Sequence, residues 1–321
     1  MPARAWRSIG AFTQTRIARL IAVVFLVTFA TTLMLSLVPG DLAVLIAGEG
    51  APPEAVAGIN EMYGFNDPLI VRYWHWITGL FRGDLGSSYI NRQAVLGLIA
   101  ERAPVTLQLA LSAIVVALLV SIPLALIAAY RAGRILDRTL DVVTSIFIAV
   151  PNFLACIGLV YVFSVELGVL PVSGWTSFSD DPLGNLSHAM LPTLALSLPV
   201  IAVFQRVLRA DVIATLQQDF IALARAKGLP THTILIRHAF RPSAFSLLTV
   251  AGLRLAELIG GTVIVETVFA IPGIGSLLVT SILNKDLITV QALVALIALF
   301  YLLVNLAVDL TYRHLDPRLG K

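Results

Sequence analysis

Two charged residues inside an apolar run are the first candidates for chemistry. Arg254 and Glu257 lie three apart within Ser243–Val265, a stretch dominated by Leu, Val, Ala, Ile and Gly. At that spacing they share one helix face and can pair. Charges inside a membrane span are costly, so each is a functional hypothesis by default. Two readings stay open: a neutralised pair that holds a bundle together, or groups that line a polar path and meet a charged or zwitterionic solute. Asn305 and Asp309, four apart in the last apolar run, also share a face, and Asp309 near the end of that run suits a structural pin better than a proton site. Asn152 directly follows Pro151 and suits the carbonyl that the proline frees.

Other chemistries find no residues to carry them. The lysines are Lys227, Lys285 and Lys321, and none completes the GxxxxGK[ST] pattern that cradles nucleotide phosphates. The histidines, His75, His188, His232, His238 and His314, do not pair at ligand spacing within an apolar run. No metal site is therefore expected, and no haem site. No Gly-x-Ser-x-Gly elbow is present. The single cysteine, Cys156, cannot form an intrachain disulfide. The chain reads as non-catalytic.

The elements that hold these residues are set by composition. Of 321 residues, 58% are hydrophobic and 13% charged, with a mean hydropathy of +0.90. A soluble domain carries roughly a quarter charged residues, so the shortfall points to a lipid bilayer. Six apolar runs approach the roughly 20 residues that cross a bilayer as a helix. They are about 16–38, 104–129, 140–165, 188–208, 243–265 and 287–310. The first is too long for the core of a signal peptide and lacks a small-residue cleavage site, so it is expected to stay as an anchor. Residues 1–40 are expected to form a cytoplasmic N-terminus and the first span, ended by Pro39-Gly40-Asp41. Residues 41–100 form an insertion too polar to span, with short helices at Pro53–Tyr63 and Asp67–Phe81. The second of these places Ile70, Tyr73, Trp74, Ile77 and Leu80 on one side. Residues 101–312 hold five further spans, and 313–321 a basic tail. Pro104 is expected in the first turn of its helix, where a proline is tolerated.

Orientation follows from where the cations fall. Sixteen of the 22 Lys and Arg residues flank one side of the runs, five the other, and Arg254 lies within a run. The richer side faces the cytoplasm, which places both termini there and residues 41–100 outside. Nucleic acid has no support as a partner, because the basic residues flank spans and form no patch interleaved with aromatics.

Between the fourth and fifth runs lies the cytoplasmic loop 209–242. Its core, Gln217–Pro242, reads QQDFIALARAKGLPTHTILIRHAFRP. Ala222, Ala224 and Ala226 sit on a helix-favouring background, Gly228 and Pro230 break it, and Arg225, Lys227, His232, Arg237 and His238 surround it. Small residues let backbones approach closely and charges set register, which suits docking of a partner protein. A plain basic cytoplasmic loop is the alternative.

The spacing resembles the EAA loop of ABC importer permeases. Ala222-Leu223-Ala224 stands at the small-residue cluster and Gly228 at the glycine, while Arg237-His238-Ala239-Phe240-Arg241 replaces the usual hydrophobic–proline ending. With VPGD at 38–41, DPLIVRYWHWITGLFRGDLGSSY at 67–89, VIVETVFAIPGIG at 263–275 and LVNLAVDLTYRHLDPR at 303–318, the chain is similar over nearly its whole length to the inner-membrane permease subunits of dipeptide, oligopeptide and nickel ABC importers. That resemblance implies an all-α type I importer permease of six transmembrane helices with an extracytoplasmic helical insertion between the first and second. It implies a multi-pass protein of a bacterial or archaeal inner membrane. It also implies a second homologous permease, two ATP-binding subunits that hold ATP and Mg, and an extracytoplasmic substrate-binding protein. The role implied is import of di- or oligopeptides, driven through the coupling residues Ala222, Leu223, Ala224, Arg225, Ala226, Lys227, Gly228, His232, Arg237 and His238. Arg254 and Glu257 are then candidates for the translocation path. The alternatives are a nickel chelate or other small solute, an ion-coupled secondary carrier, and a membrane anchor without transport. The motif VFAIPGIG is expected to need non-helical backbone, packed where protein or water covers it.

Overall fold

The computed structural model describes residues 21–34, 36–37, 42–48 and 50–315. The expected stop at Pro39–Asp41, the basic residues 1–15, the last residues of the tail and the Asp309 side chain lie outside the described residues. Most of the described chain is helical. The helices are α1 (Ile21–Met34), α2 (Leu42–Ala47), α3 (Pro53–Tyr63), α4 (Leu69–Phe81), α5 (Val95–Tyr130), α6 (Ile135–Ala149), α7 (Asn152–Glu166), α8 (Pro182–Leu216), α9 (Asp219–Ala226), α10 (Thr231–Val268), α11 (Ile274–Leu283) and α12 (Leu287–Leu315).

Among the described residues, four helices are long and apolar enough to cross a membrane: α5, α8, α10 and α12. A fifth span results if α6 and α7 count as one, although they meet at an angle of 103°. The expected third span, about 140–165, is thus broken at Val150-Pro151. Proline cannot donate to the helix ladder, and Val150 before it takes extended backbone (ψ 121°). The first expected span is represented by α1, which is short on its described residues.

Two compact groups of residues divide the chain, 1–103 with 277–302 and 104–276 with 303–321. In the first, α3 and α4 form at the expected places. Gly64 closes α3 in the left-handed conformation (φ +63°) and its amide caps the Glu61 carbonyl. The expected apolar face of α4 divides: Tyr73 and Ile77 are buried, whereas Ile70 and Trp74 stay 71% and 60% exposed. Tyr73 also hydrogen-bonds Thr28 of α1 through its hydroxyl (2.9 Å) and stacks edge-on to Phe29 (5.2 Å). Asp286, just before α12, is the polar hub here. Its carboxylate accepts from the Ser88 and Thr289 hydroxyls and from the Tyr89 amide. Tyr89 is itself buried against the Tyr63 and Phe65 rings, and that burial raises its hydroxyl pKa above the ordinary value.

The second group is built around α8. Asp181 caps it by accepting the Leu183 amide (3.1 Å), and Pro182 occupies the first turn, where no donor is needed. Leu196, Phe204, Leu208 and Val212 along α8 are fully buried. Helices α6, α7 and α10 pack on it. In a bilayer these side chains would otherwise meet equally apolar lipid, so close van der Waals packing holds this core together. Polar ties add register: Ser112 of α5 hydrogen-bonds Thr193 (2.9 Å), and Gln108 donates to Asn185. Pro192 and Pro199 both lie inside α8 without breaking it.

Pro104, expected in the first turn, lies inside α5 instead, nine residues after its start. Residues 95–103 are too polar to read as a span but continue the helix. Similarly α10 begins at Thr231, twelve residues ahead of the apolar run, with wider π-type turns over Ile234–Phe240.

Candidate functional site

The segment after α8 forms a helix, a corner and a second helix. Gln217 ends α8, and α9 runs Asp219–Ala226 with Asp219 in its first turn and Arg225 in its last, both favourable to the helix dipole. Gly228 then turns the chain with φ +73°, a left-handed conformation that non-glycine residues adopt at a cost. No atom lies within 4 Å of where its side chain would begin, so the glycine is required by backbone conformation and not by crowding. Pro230 starts α10 in extended backbone, and no side chain caps its first turn.

Alanines at i, i+2 and i+4 cannot all share one helix face, and Ala222, Ala224 and Ala226 divide accordingly. Ala224 is buried with Ile221 and Ile234, and Leu216 packs against them. This small core fixes α9 to the ends of α8 and α10. Ala222 and Ala226 point to solvent beside Phe220 and Leu223, which remain 48% and 57% exposed. Arg225, Lys227, His232 and Arg237 are exposed around that apolar patch, and His238 is half-buried. The outward face of α9 is thus an apolar centre in a basic rim.

Arg254 and Glu257 form the expected pair, with Nη1 2.5 Å from Oε2. Their side chains remain 38% and 50% exposed. Together with Ile148, Asn152, Pro199, Val200 and Gly261 they line a cavity of about 290 Å³ among α6, α7, α8 and α10. Asn152, expected to serve the proline-freed carbonyl, is part of that wall. Asn305 leaves its Oδ1 buried without a hydrogen-bond partner.

Besides the Asp286 hub, two polar clusters escaped the sequence reading. Asp137, 4% exposed, forms a two-point bridge with Arg209 (2.5 and 2.6 Å) and accepts the Gly133 amide at 2.8 Å. It ties the start of α6 to the end of α8. An acid in the first turn of a helix, two residues after the basic Arg134-Ile135 turn, was the available signal. The other cluster centres on Glu266, fully buried at the end of α10. Oε1 accepts the Thr106 hydroxyl (2.7 Å) and Oε2 the Ser276 amide (2.9 Å), while the Ile274 amide donates to the same Thr106 oxygen (2.8 Å).

That second cluster explains VFAIPGIG better than loop geometry does. Phe269–Gly273 are non-helical, whereas Gly275 already belongs to α11. The left-handed residue is Ala270 (φ +53°), not a glycine. A side chain at Gly273 would collide with the Glu266 carboxylate, and one at Gly275 would lie 2.5 Å from the Val263 Cα. The glycines are there for close approach.

Comparison with known proteins fits this architecture. Residues 121–321 match the family described as the binding-protein-dependent transport system inner membrane component, and residues 10–110 match its N-terminal counterpart. A putative peptide transport system permease protein of Brucella abortus is 40% identical over 303 residues, covering 94% of this chain and 96% of the relative. A probable peptide ABC transporter permease protein of Sinorhizobium fredii is 37% identical over 310 residues, 97% and 99% of the two chains. The glutathione transport system permease protein of Escherichia coli is 35% identical over 302 residues, 94% and 96%. The chain belongs to the family of binding-protein-dependent transport system inner membrane components.

Proposed function

We propose that this chain is one of two permease subunits of an ATP-driven importer of di- or oligopeptides. It crosses the inner membrane six times, with both termini in the cytoplasm and residues 41–100 outside. A binding protein delivers the peptide from outside. Two separate subunits bind ATP and Mg and hydrolyse the nucleotide, since this sequence carries no phosphate-binding loop. Peptide transport is supported by the names of the relatives in Brucella and Sinorhizobium, which align along nearly the whole chain.

One observation carries the mechanism: α9 is clamped inward by Ile221 and Ala224 while it presents Phe220 and Leu223 outward. An exposed apolar centre with a charged rim has the make-up of a protein-docking patch. Because α9 is fixed to both α8 and α10, a push on its outer face is delivered to two spans at once. Closure of the ATP-bound subunits then moves those spans, and the path alternates between outward and inward openings. Lys227 and Arg237 set the register of the contact, and Gly228 is the corner that keeps α9 at its angle to α10.

The test is purification of the assembled complex with variants of this patch. Leu223→Glu is expected to lose the ATP-hydrolysing subunits from the purified complex by at least tenfold. Gly228→Val and Ala224→Glu are expected to leave membrane insertion intact but uncouple ATP hydrolysis from uptake. A Leu223→Glu chain that retains both ATPase subunits and transports normally would refute the docking assignment.

A further inference from the structure

We propose that Arg254 and Glu257 form a charge-selecting station in the passage, a binding subsite for the charged side chains and termini of the peptide in transit. This rests on the transport reading above and adds to it where, and by which groups, the passage tells one peptide from another.

The argument begins with depth. Arg254 lies twelve residues beyond Pro242, about 18 Å along the helix at 1.5 Å per residue, and the hydrocarbon layer is about 30 Å thick. The pair therefore stands near mid-membrane, flanked along α10 by Leu253, Leu255, Ala256 and Leu258. Yet packing within the chain leaves 38% of one side chain and 50% of the other uncovered. Charged groups at that depth do not face lipid; they face a bundle interior or a water-filled cavity.

The structure supplies such a space. The cavity of about 290 Å³ has Asn152, just after the 103° turn between α6 and α7, in its wall, and at Gly261 nothing lies within 4 Å of a would-be Cβ. Its walls carry a guanidinium, a carboxylate and an amide on an otherwise apolar lining of Ile148, Pro199, Val200 and Leu258. A few convergent polar groups on apolar walls are what a small-ligand site requires, and the volume is near the low end for one.

The pair also differs from the bridge that holds this protein together. Asp137 is almost fully covered, engages Arg209 with both oxygens and takes a backbone amide as well. Arg254 and Glu257 share a single contact, one of the five guanidinium donors meeting one carboxylate oxygen. Partly exposed pairs of this kind contribute little and open readily. An opened pair offers a cation to a peptide carboxylate and an anion to an ammonium, and closes on itself when the peptide has passed.

The experiment uses the assembled transporter in proteoliposomes with its binding protein, and two tripeptides that differ only in a central Lys or Glu. Arg254→Gln leaves an unpaired carboxylate and is expected to raise the Lys-to-Glu uptake ratio at least fivefold. Glu257→Gln is expected to lower it at least fivefold, and the double variant to bring it back toward the original value. Equal losses for both peptides, or no change in the ratio, would mean a purely structural pair and overturn the proposal. No uptake of either peptide by the unaltered complex would instead sink the transport reading. A second measurement leaves the pair intact. With Gly261→Cys, and the natural Cys156 fully buried, a transported peptide is expected to slow labelling by a soluble thiol reagent at least threefold. Unchanged labelling overturns the subsite.

Discussion

Replacing Thr106 by Val tests whether the Glu266 cluster holds the ends of α10 and α11 against α5. The two residues have nearly the same shape, so packing barely changes. What is lost is one oxygen with two duties: it donates to Glu266 Oε1 at 2.7 Å and accepts the Ile274 amide at 2.8 Å. Both Thr106 and Glu266 are fully buried, so water cannot take over. Each buried polar group left without its partner costs about 1–3 kcal/mol. Two such groups give about 2–6 kcal/mol, of which the carboxylate carries the larger share. Thr106→Ser keeps both bonds and removes one methyl, a loss of about 0.5–1.5 kcal/mol by analogy with Ile→Val. The expected order is therefore wild type, then Ser, then Val, with the second gap wider than the first. Reversible unfolding of the purified chain in mixed micelles of increasing denaturing detergent, followed by circular dichroism, measures it. Val and Ser variants that unfold together, within about 0.5 kcal/mol, would show that the hydroxyl does not support the cluster.

The Asp137–Arg209 bridge should behave as a coupled pair. Asp137→Ala alone is expected to destabilise by about 2–3 kcal/mol, and Asp137→Ala with Arg209→Ala by less than the sum of the two single changes. Additive losses in the same unfolding assay would argue that the bridge contributes nothing of its own. Gly275→Ala should cost about 1–3 kcal/mol, because the Val263 backbone it meets cannot give way, whereas Gly260→Ala, with nothing within 4 Å, should be neutral or slightly stabilising. A Gly275→Ala chain as stable as wild type would remove the close-approach account of that glycine.

What could be read from the sequence was whatever depends on local pattern. Helices α3, α4 and α12 lie within two residues of their expected starts, because Pro68 and the Asp286-Leu287 boundary are strong local signals. Hydropathy located the cores of α5, α8 and α10 but not their ends. Apolar content reports which residues suit lipid, and a helix continues into water for as long as its backbone allows. Hence Val95–Ala103, Pro182–Ser187 and Thr231–Pro242 are helical though they never read as spans. The corner at Gly228 was legible because only a break in helix propensity was needed. The division of Ala222, Ala224 and Ala226 between two faces also follows from helix period alone. Which of the faces would be covered does not, because Ile234, thirteen residues after Ile221, is what covers it.

The clusters that stayed hidden are those whose partners are far apart in the chain. Ser88 meets Asp286 across 198 positions and Thr106 meets Glu266 across 160. No spacing rule in one sequence links such residues. The sequence marks an acidic residue near or inside an apolar run as costly, but assigns the same cost to Asp137, Glu257, Glu266 and Asp286. What separates them is saturation. Glu266 and Asp286 have both oxygens engaged and no access to solvent, and Asp137 has a two-point partner, so their energy is already committed to holding helices. Glu257 has one partner and half its surface uncovered, at a depth where lipid would exclude it. The protein buries and pairs Asp137, Glu266 and Asp286 but keeps Glu257 half-open against a strong physical penalty. That penalty is compensated only if water, a partner chain or a passing solute meets the exposed side. The reciprocal uptake ratios for Arg254→Gln and Glu257→Gln decide among the three, because only a passing solute makes the sign of the remaining charge visible in selectivity.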